Sequence, residues 1–157
     1  MTNSIVSYLG LGGNSGDRAA NIENALKLLD AQEGISVVKV SEIIETEPWG
    51  FKSEYKFLNC VARIEVSPEI TPLGLLDICK SIEHILGREE NAEYDPEGNR
   101  IYRSRPIDID ILFYGLERIR EDRLVIPHPL MSERDFVMVP LRQIADDGII
   151  SAFPEIF

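Results

Sequence analysis

The amino-acid sequence predicts an α+β fold, a ferredoxin-like three-layer α-β-α sandwich around a central, mainly antiparallel sheet, on three observations. Strand-like and helix-like segments are interleaved in the order β-α-β-β-α-β. Each helix-like segment carries one apolar stripe, which a sheet must cover. No internal repeat, low-complexity tract or linker divides the 157 residues, so a single domain spanning 1–157 is expected.

The elements follow in order. Ser4 to Gly13 is apolar, ends in glycines and reads as a strand. Gly12-Gly13-Asn14-Ser15-Gly16-Asp17 reads as a tight turn into a helix striped by Ile22, Ala25, Leu26 and Leu29. Ser15 or Asp17 caps that helix, and Gly34 stands beyond its end. Ile35 to Thr46, rich in β-branched residues, predicts one second strand, and Glu47 to Lys56, with Pro48 and Gly50, a loop. Phe57 to Val66 alternates: Leu58, Cys60, Ala62, Ile64 and Val66 share one face, and Phe57, Asn59, Val61, Arg63 and Glu65 the other. Thr71 as N-cap and Pro72 at the first helical position open a helix striped by Leu75, Leu76, Cys79, Ile82 and Leu86. Glu89 to Ser104 is polar, carries Pro96, Gly98 and Asn99, and reads as a long loop of the kind that is usually functional or disordered. Ile107 to Tyr114 predicts a strand whose apolar flank places it centrally. Beyond it come Leu124-Val125-Ile126, the stiff Pro127-His128-Pro129 and an apolar run from Phe136 to Ile144.

Charge narrows the partners. With 27 acidic against 16 basic residues the net charge is −11, which disfavours both nucleic acid and an anionic membrane. No window reaches the ~20 apolar residues of a membrane span, and Met1-Thr2-Asn3-Ser4 lacks the regions of a signal peptide, so a cytoplasmic location is expected. Cys60 and Cys79 belong to no metal-ligand spacing and are expected to be buried free thiols. All five lysines precede Gly87, whereas the nine basic residues from Arg88 onward are all arginine. They are either solvated surface charges or a set suited to bidentate phosphate binding.

The sharpest local feature is Ile107-Asp108-Ile109-Asp110-Ile111. On a strand the two aspartates share one face while the isoleucines pack the other. Side-by-side carboxylates repel, and a hard cation such as Mg²⁺ resolves the conflict; the alternative is an exposed edge with ordinary charges. Glu83 lies beside the apolar stripe of its helix, either as a surface partner of Arg88 or as a carboxylate held at a cleft for a ligand. Phe57 and Asn59 share a strand face, either as a packed aromatic beside a surface amide or as a ring and an amide edge for a flat heterocycle. His128, fixed between prolines, is either structural or a positioned polar group. The N-terminal glycines fit neither the dinucleotide fingerprint nor a P-loop.

Five blocks in order carry a resemblance: Leu9-Gly10-Leu11-Gly12-Gly13-Asn14; Glu45-Thr46-Glu47-Pro48-Trp49-Gly50; Phe57-Leu58-Asn59; Ile82-Glu83 with Gly87-Arg88; and Ser104-Arg105-Pro106-Ile107-Asp108-Ile109-Asp110 with Ile126-Pro127-His128-Pro129 and Arg134-Asp135-Phe136. Together they resemble the 6-hydroxymethyl-7,8-dihydropterin pyrophosphokinases of folate biosynthesis over nearly the whole chain. The resemblance implies transfer of diphosphate from ATP to the pterin hydroxymethyl group by a monomer. It implies that Asp108 and Asp110 bind two Mg²⁺ ions and form the catalytic set with Arg88 and Arg105. It further implies that Phe57 and Phe136 sandwich the pterin while Asn59, Thr46, Glu47, Pro48 and Trp49 read its edge. Arg88, Arg105, His128 and Arg134 would hold phosphates, and Glu83, Ile111 and Arg123 would lie on the nucleotide side. Where relatives carry a further loop arginine this chain has Glu90, leaving Arg100 or Arg103 to serve, and it ends before the short terminal helix many relatives show. Two other classes remain to be separated: a different Mg²⁺-dependent phosphotransferase or phosphodiesterase, and a non-catalytic ligand-binding module.

Overall fold

A computed structural model describes residues 3–46, 56–87, 93–94, 96–97, 100–101 and 106–157. Strand β1 (Ile5–Gly13) leads to helix α1 (Arg18–Ala31), then β2 (Ile35–Val40), β3 (Ile44–Thr46) and β4 (Phe57–Val66). Helix α2 (Pro72–Ile85) follows, with the two-residue strands β5 (Glu93–Tyr94) and β6 (Arg100–Ile101) before β7 (Asp108–Tyr114). The chain closes with β8 (Ile119–Arg120), β9 (Val125–Ile126), a 3₁₀ turn at Met131–Glu133, and helices α3 (Asp135–Ile144) and α4 (Asp147–Ala152).

The helices start where capping chemistry puts them. The Asp17 carboxylate accepts from the Ala20 N–H at 3.1 Å, and the Thr71 hydroxyl accepts from the Gly74 N–H at 3.0 Å with Pro72 behind it. Gly34 turns the chain into β2 at φ 84°, where a side chain would be strained and would meet Ile70 at 2.9 Å.

Antiparallel pairing gives the order β2-β4-β1-β7, with β3 prolonging the sheet along β4. That is the ferredoxin-like order. The alternating faces of β4 are realised as expected. Cys60, Ala62, Ile64 and Val66 join Ile22, Leu29, Leu75 and Cys79 in a core beneath α1 and α2, while Val61 joins Val137, Met138 and Leu141 beneath α3. Both thiols are buried, and burial pushes each up to about 12, so neither offers a thiolate.

Three readings need correction. The single strand expected over 35–46 is two, because Ser41 takes a ladder position with its side chain. Its hydroxyl accepts from the Val61 N–H at 2.9 Å while its own N–H donates to the Val61 carbonyl at 2.9 Å. The next N–H, of Glu42, is diverted to Gln143 on α3 at 2.9 Å. Secondly, β7 is an edge strand and not a central one. Its apolar density comes from helices on both faces and from a bulge at Leu112, between the pairs Tyr8↔Phe113 and Leu9↔Ile111. Leu112 and Phe113 therefore both enter the α3-side core. Thirdly, the reading stopped at Ile144, yet α4 follows, capped by Asp146, whose carboxylate accepts from the Ile149 N–H at 2.8 Å. Behind it Phe153 sits with its ring 4.9 Å from that of Phe113. The segment 89–104 contains the β5–β6 ladder, and its remaining residues, apart from 96–97, lie outside the described set. Among the described residues no helix is long and apolar enough to cross a membrane.

Replacing Ser41 by Ala leaves the buried Val61 N–H without its acceptor. The variant is expected to lose about 1–3 kcal/mol of stability, read as a lower midpoint in urea denaturation at unchanged slope.

Candidate active site

The alternation of β1 builds the floor. Leu9 and Leu11 point into the α1/α2 core, so Gly10 and Gly12 lie on the α3 side of the sheet. Registers on both sides place Asn59, Gly12 and Asp108 in one transverse row, and Val61, Gly10 and Asp110 in the next. Gly12 and Gly10 thus stand between β4 and the aspartate pair, with the Asn59 side chain over Gly12 and that of Leu112 beside Gly10. Two inter-strand spacings put the β4 and β7 backbones ~10 Å apart. Gly12 is required in its place: a Cβ there would stand 2.3 Å from the Asn59 side-chain oxygen. From the sequence these glycines read only as the end of a strand running into a turn. The overlooked signal is that they alternate with leucines at a period of two.

On one side of these glycines Asn59 is buried, and its amide donates to the Thr46 hydroxyl at 2.7 Å. Phe57 is half-buried one position along the same face and pairs in register with Thr46. The ring and amide edge expected from Phe57 and Asn59 are therefore adjacent to Thr46.

On the other side Asp108 and Asp110 are both half-buried. Burial is the main cause that lifts Asp110 to about 7, and the carboxylates of Asp108 and Glu83 add to it, against Arg134 and Lys80. The simple exposed-edge account does not fit such a group. Glu83 is no surface residue either. At 1% exposure its carboxylate accepts from the Ile109 N–H at 2.7 Å, between the two aspartates, and Lys80 lies 3.5 Å from its other oxygen. Lys80 is a site neighbour that the sequence reading missed.

His128 follows the cis Ile126–Pro127 bond, and its N–H donates to the Leu112 carbonyl on the outer edge of β7 at 3.2 Å. Burial first, then Arg134, hold its imidazole below the usual value of 6.5 despite Asp108, so the ring is neutral at pH 7. Arg134 precedes α3, and its guanidinium carbon lies 5.6 Å from the centroid of the Phe136 ring. Ile111 has its side chain in the core and so presents only backbone to the edge. Arg123 stands apart, paired with Asp77 of α2 at 2.6 Å. These two line a groove of about 860 Å³ together with Lys80, Ser81, Glu83 and His84. Arg88, Arg105, Glu47, Pro48 and Trp49 lie outside the described residues.

Among the described residues no group of three or more His, Cys, Asp and Glu could cage a metal by itself. The aspartate pair nevertheless fits a hard cation of the Mg²⁺ type, which takes one or two carboxylates and completes its shell with water and phosphate. The raised Asp110 marks a crowding of buried negative charge that such an ion would neutralise.

Residues 8–146 match the family model described as 7,8-dihydro-6-hydroxymethylpterin-pyrophosphokinase (HPPK). The chain is 44% identical over 144 residues to the 2-amino-4-hydroxy-6-hydroxymethyldihydropteridine pyrophosphokinase of Methylorubrum extorquens, covering 92% of this chain and 85% of that one. It is 37% identical over 139 residues to the enzyme of the same name from Bacillus subtilis, covering 88% and 77%. Among solved structures, one of an HPPK-DHPS in complex with substrates superposes with a TM-score of 0.64 at 14% identity, a likeness of fold. It covers 97% of this chain, which spans only 43% of that longer one. The class defined by fold and comparisons is that of pyrophosphokinases on a ferredoxin-like α+β sandwich. The chain belongs to the 7,8-dihydro-6-hydroxymethylpterin-pyrophosphokinase family.

Because Gly12 and the Asn59 oxygen compete for one volume, Gly12→Ala is expected to displace Asn59 and break its bond to Thr46. Losing one amide–hydroxyl bond is worth ~1 kcal/mol, and the strain adds to it. Calorimetry should show binding of a pterin weakened at least about fivefold, with ATP binding unaltered.

Proposed function

We propose that this chain transfers diphosphate from ATP to the hydroxymethyl group of 6-hydroxymethyl-7,8-dihydropterin, forming the pterin diphosphate and AMP, a step of folate biosynthesis. The observation that carries the reading is the glycine-floored face, with a carboxylate pair on one side and a buried amide beside an aromatic ring on the other. Such a face suits a polyphosphate at one end and a flat, hydrogen-bonding heterocycle at the other. The relatives named as pyrophosphokinases support it.

In this reading Asp108 and Asp110 hold Mg²⁺, two ions by the family pattern. The metal, when bound, neutralises phosphate oxygens as charge builds during displacement. The chain's own residues position and stabilise. Phe57 and Phe136 stack on the pterin, and Asn59 and Thr46, with Glu47, Pro48 and Trp49, read its edge. Arg88, Arg105, Arg134 and His128 donate to phosphate oxygens; a neutral imidazole does so without adding charge. The substrate hydroxyl oxygen forms a bond to the β-phosphorus as the bridge to the α-phosphorus breaks. AMP departs with the bridging oxygen, and the hydroxyl proton passes to solvent or phosphate. Little covalent chemistry falls to the protein in such a displacement.

The adenosine lies in the groove beside α2, with Glu83 at the ribose, Arg123 at the rim and the Ile111 backbone as an edge for the base. Ile109 and Ile111 face the same side of β7, and Glu83 takes the Ile109 rung, so Ile111 offers the next one. A single domain working as a monomer, without nucleic acid or membrane, in the cytoplasm, completes the reading.

Incubation with ATP, Mg²⁺ and the hydroxymethyl pterin should release AMP; ADP instead would mark an ordinary kinase and overturn the proposal. Asp110→Asn is expected to lower kcat on the order of 10²–10³-fold while pterin binding survives, as fluorescence titration would show.

A second expectation concerns pH. Asp110 is raised from 3.8 to about 7 on folding, so its contribution to stability is complete below the lower value and is lost as pH rises through the upper one. Added Mg²⁺ should therefore raise Tm near pH 8 and have little effect near pH 5, a difference that Asp110→Asn abolishes. Thermal melts with and without the ion decide it.

A further inference from the structure

Arg18 occupies the first position of α1, where the positive end of the helix dipole opposes a cation and no acidic residue shares its turn. Its guanidinium reaches away from the helix to two acceptors. It donates to the Glu45 carboxylate at 3.1 Å and to the Lys56 carbonyl at 2.8 Å. Those acceptors flank the last rung of the β3–β4 ladder, the pair Thr46↔Phe57, from opposite strands. We infer that Arg18 is a positioning residue for the pterin subsite, a crosspiece that holds Thr46 and Phe57 in register at the end of their pairing nearest the 47–56 connection.

The inference rests on the functional reading above and adds a residue that lies outside the proposed substrate contacts. Its logic is geometric. Three of the described residues proposed for the pterin meet there: Asn59, held by its bond to Thr46, Thr46 itself, and Phe57 across from it. Among the described residues β3 is three residues long and has β4 as its one strand partner, so a bond across the final rung adds to a short ladder. One guanidinium spanning both strands supplies what a longer ladder would. Both bonds leave one guanidinium nitrogen, Nη1, whose two N–H groups diverge toward the two acceptors in a fixed plane. Arg18 is 29% exposed and lies outside both cores, so its removal does not threaten folding.

The test is calorimetric titration of the intact chain with 6-hydroxymethyl-7,8-dihydropterin and, separately, with a non-hydrolysable ATP analogue plus Mg²⁺. Arg18→Met is expected to weaken pterin binding about three- to fivefold, the size of one partly exposed charged pair, and to leave the nucleotide Kd unchanged. Arg18→Lys should recover part of the loss, and Glu45→Gln, which keeps the Lys56 contact, should cost less than Arg18→Met. Equal pterin affinity in Arg18→Met and wild type overturns the inference alone. A parallel loss of both ligands overturns it too, since a general structural role predicts that pattern. Wild-type protein that binds no pterin removes the functional reading on which the inference stands.

Discussion

The arrangement depends on one strand paired on both sides. β1 lies between β4 and β7, and every other residue along it must be either large and buried or absent in all but backbone. Leu9 and Leu11 anchor the sheet to α1 and α2, while Gly10 and Gly12 leave room on the opposite face for the side chains of Leu112 and Asn59. Had β1 carried a side chain at position 12, the strands on either side would still pair, but the Asn59 amide would be displaced. The core and the cleft are thus two readings of the same alternation, and neither can be altered without the other.

Electrostatics are concentrated where the cleft meets the sheet edge. Three carboxylates, Asp108, Asp110 and Glu83, converge there on a chain whose net charge is already −11. Arg134 and Lys80 offset them only in part, and burial together with the neighbouring carboxylates raises Asp110 to about 7. The groups are held close together by α2, β7 and the start of α3, so their mutual repulsion is built into the fold. The distant pairs of the chain, such as Arg118 with Glu155 at 2.6 Å, are exposed and contribute little by comparison.

Much of the fold was legible because burial leaves a period in the sequence. The whole of β4, its two faces, the caps at Asp17 and Thr71 and the layer order follow from local patterns. The failures have a common cause, which is that sequence records what is buried but not by what. β7 is as apolar as a central strand because helices cover it on both sides, and nothing in Ile107–Tyr114 reveals the vacant outer edge. Ser41 breaks a strand through a contact made twenty residues later, and the bulge at Leu112 depends on pairing with Tyr8 and Leu9. Of the candidate site, Asp108 and Asp110 announce themselves by spacing alone. Gly12 and Asn59 matter through their mutual fit, and Arg18 through a partner 38 positions away. Such long-range complementarity has no local signature.

The outer edge of β7 has a consequence for solubility as well as for chemistry. An exposed strand edge is an invitation to pair with a strand of another molecule, and this one is apolar and flanked by isoleucines. The Glu83 carboxylate occupies the Ile109 N–H and the His128 backbone occupies the Leu112 carbonyl. With those rungs already taken, a visiting strand finds an interrupted template. A helix and a proline-bracketed loop therefore guard this border of the sheet against aggregation.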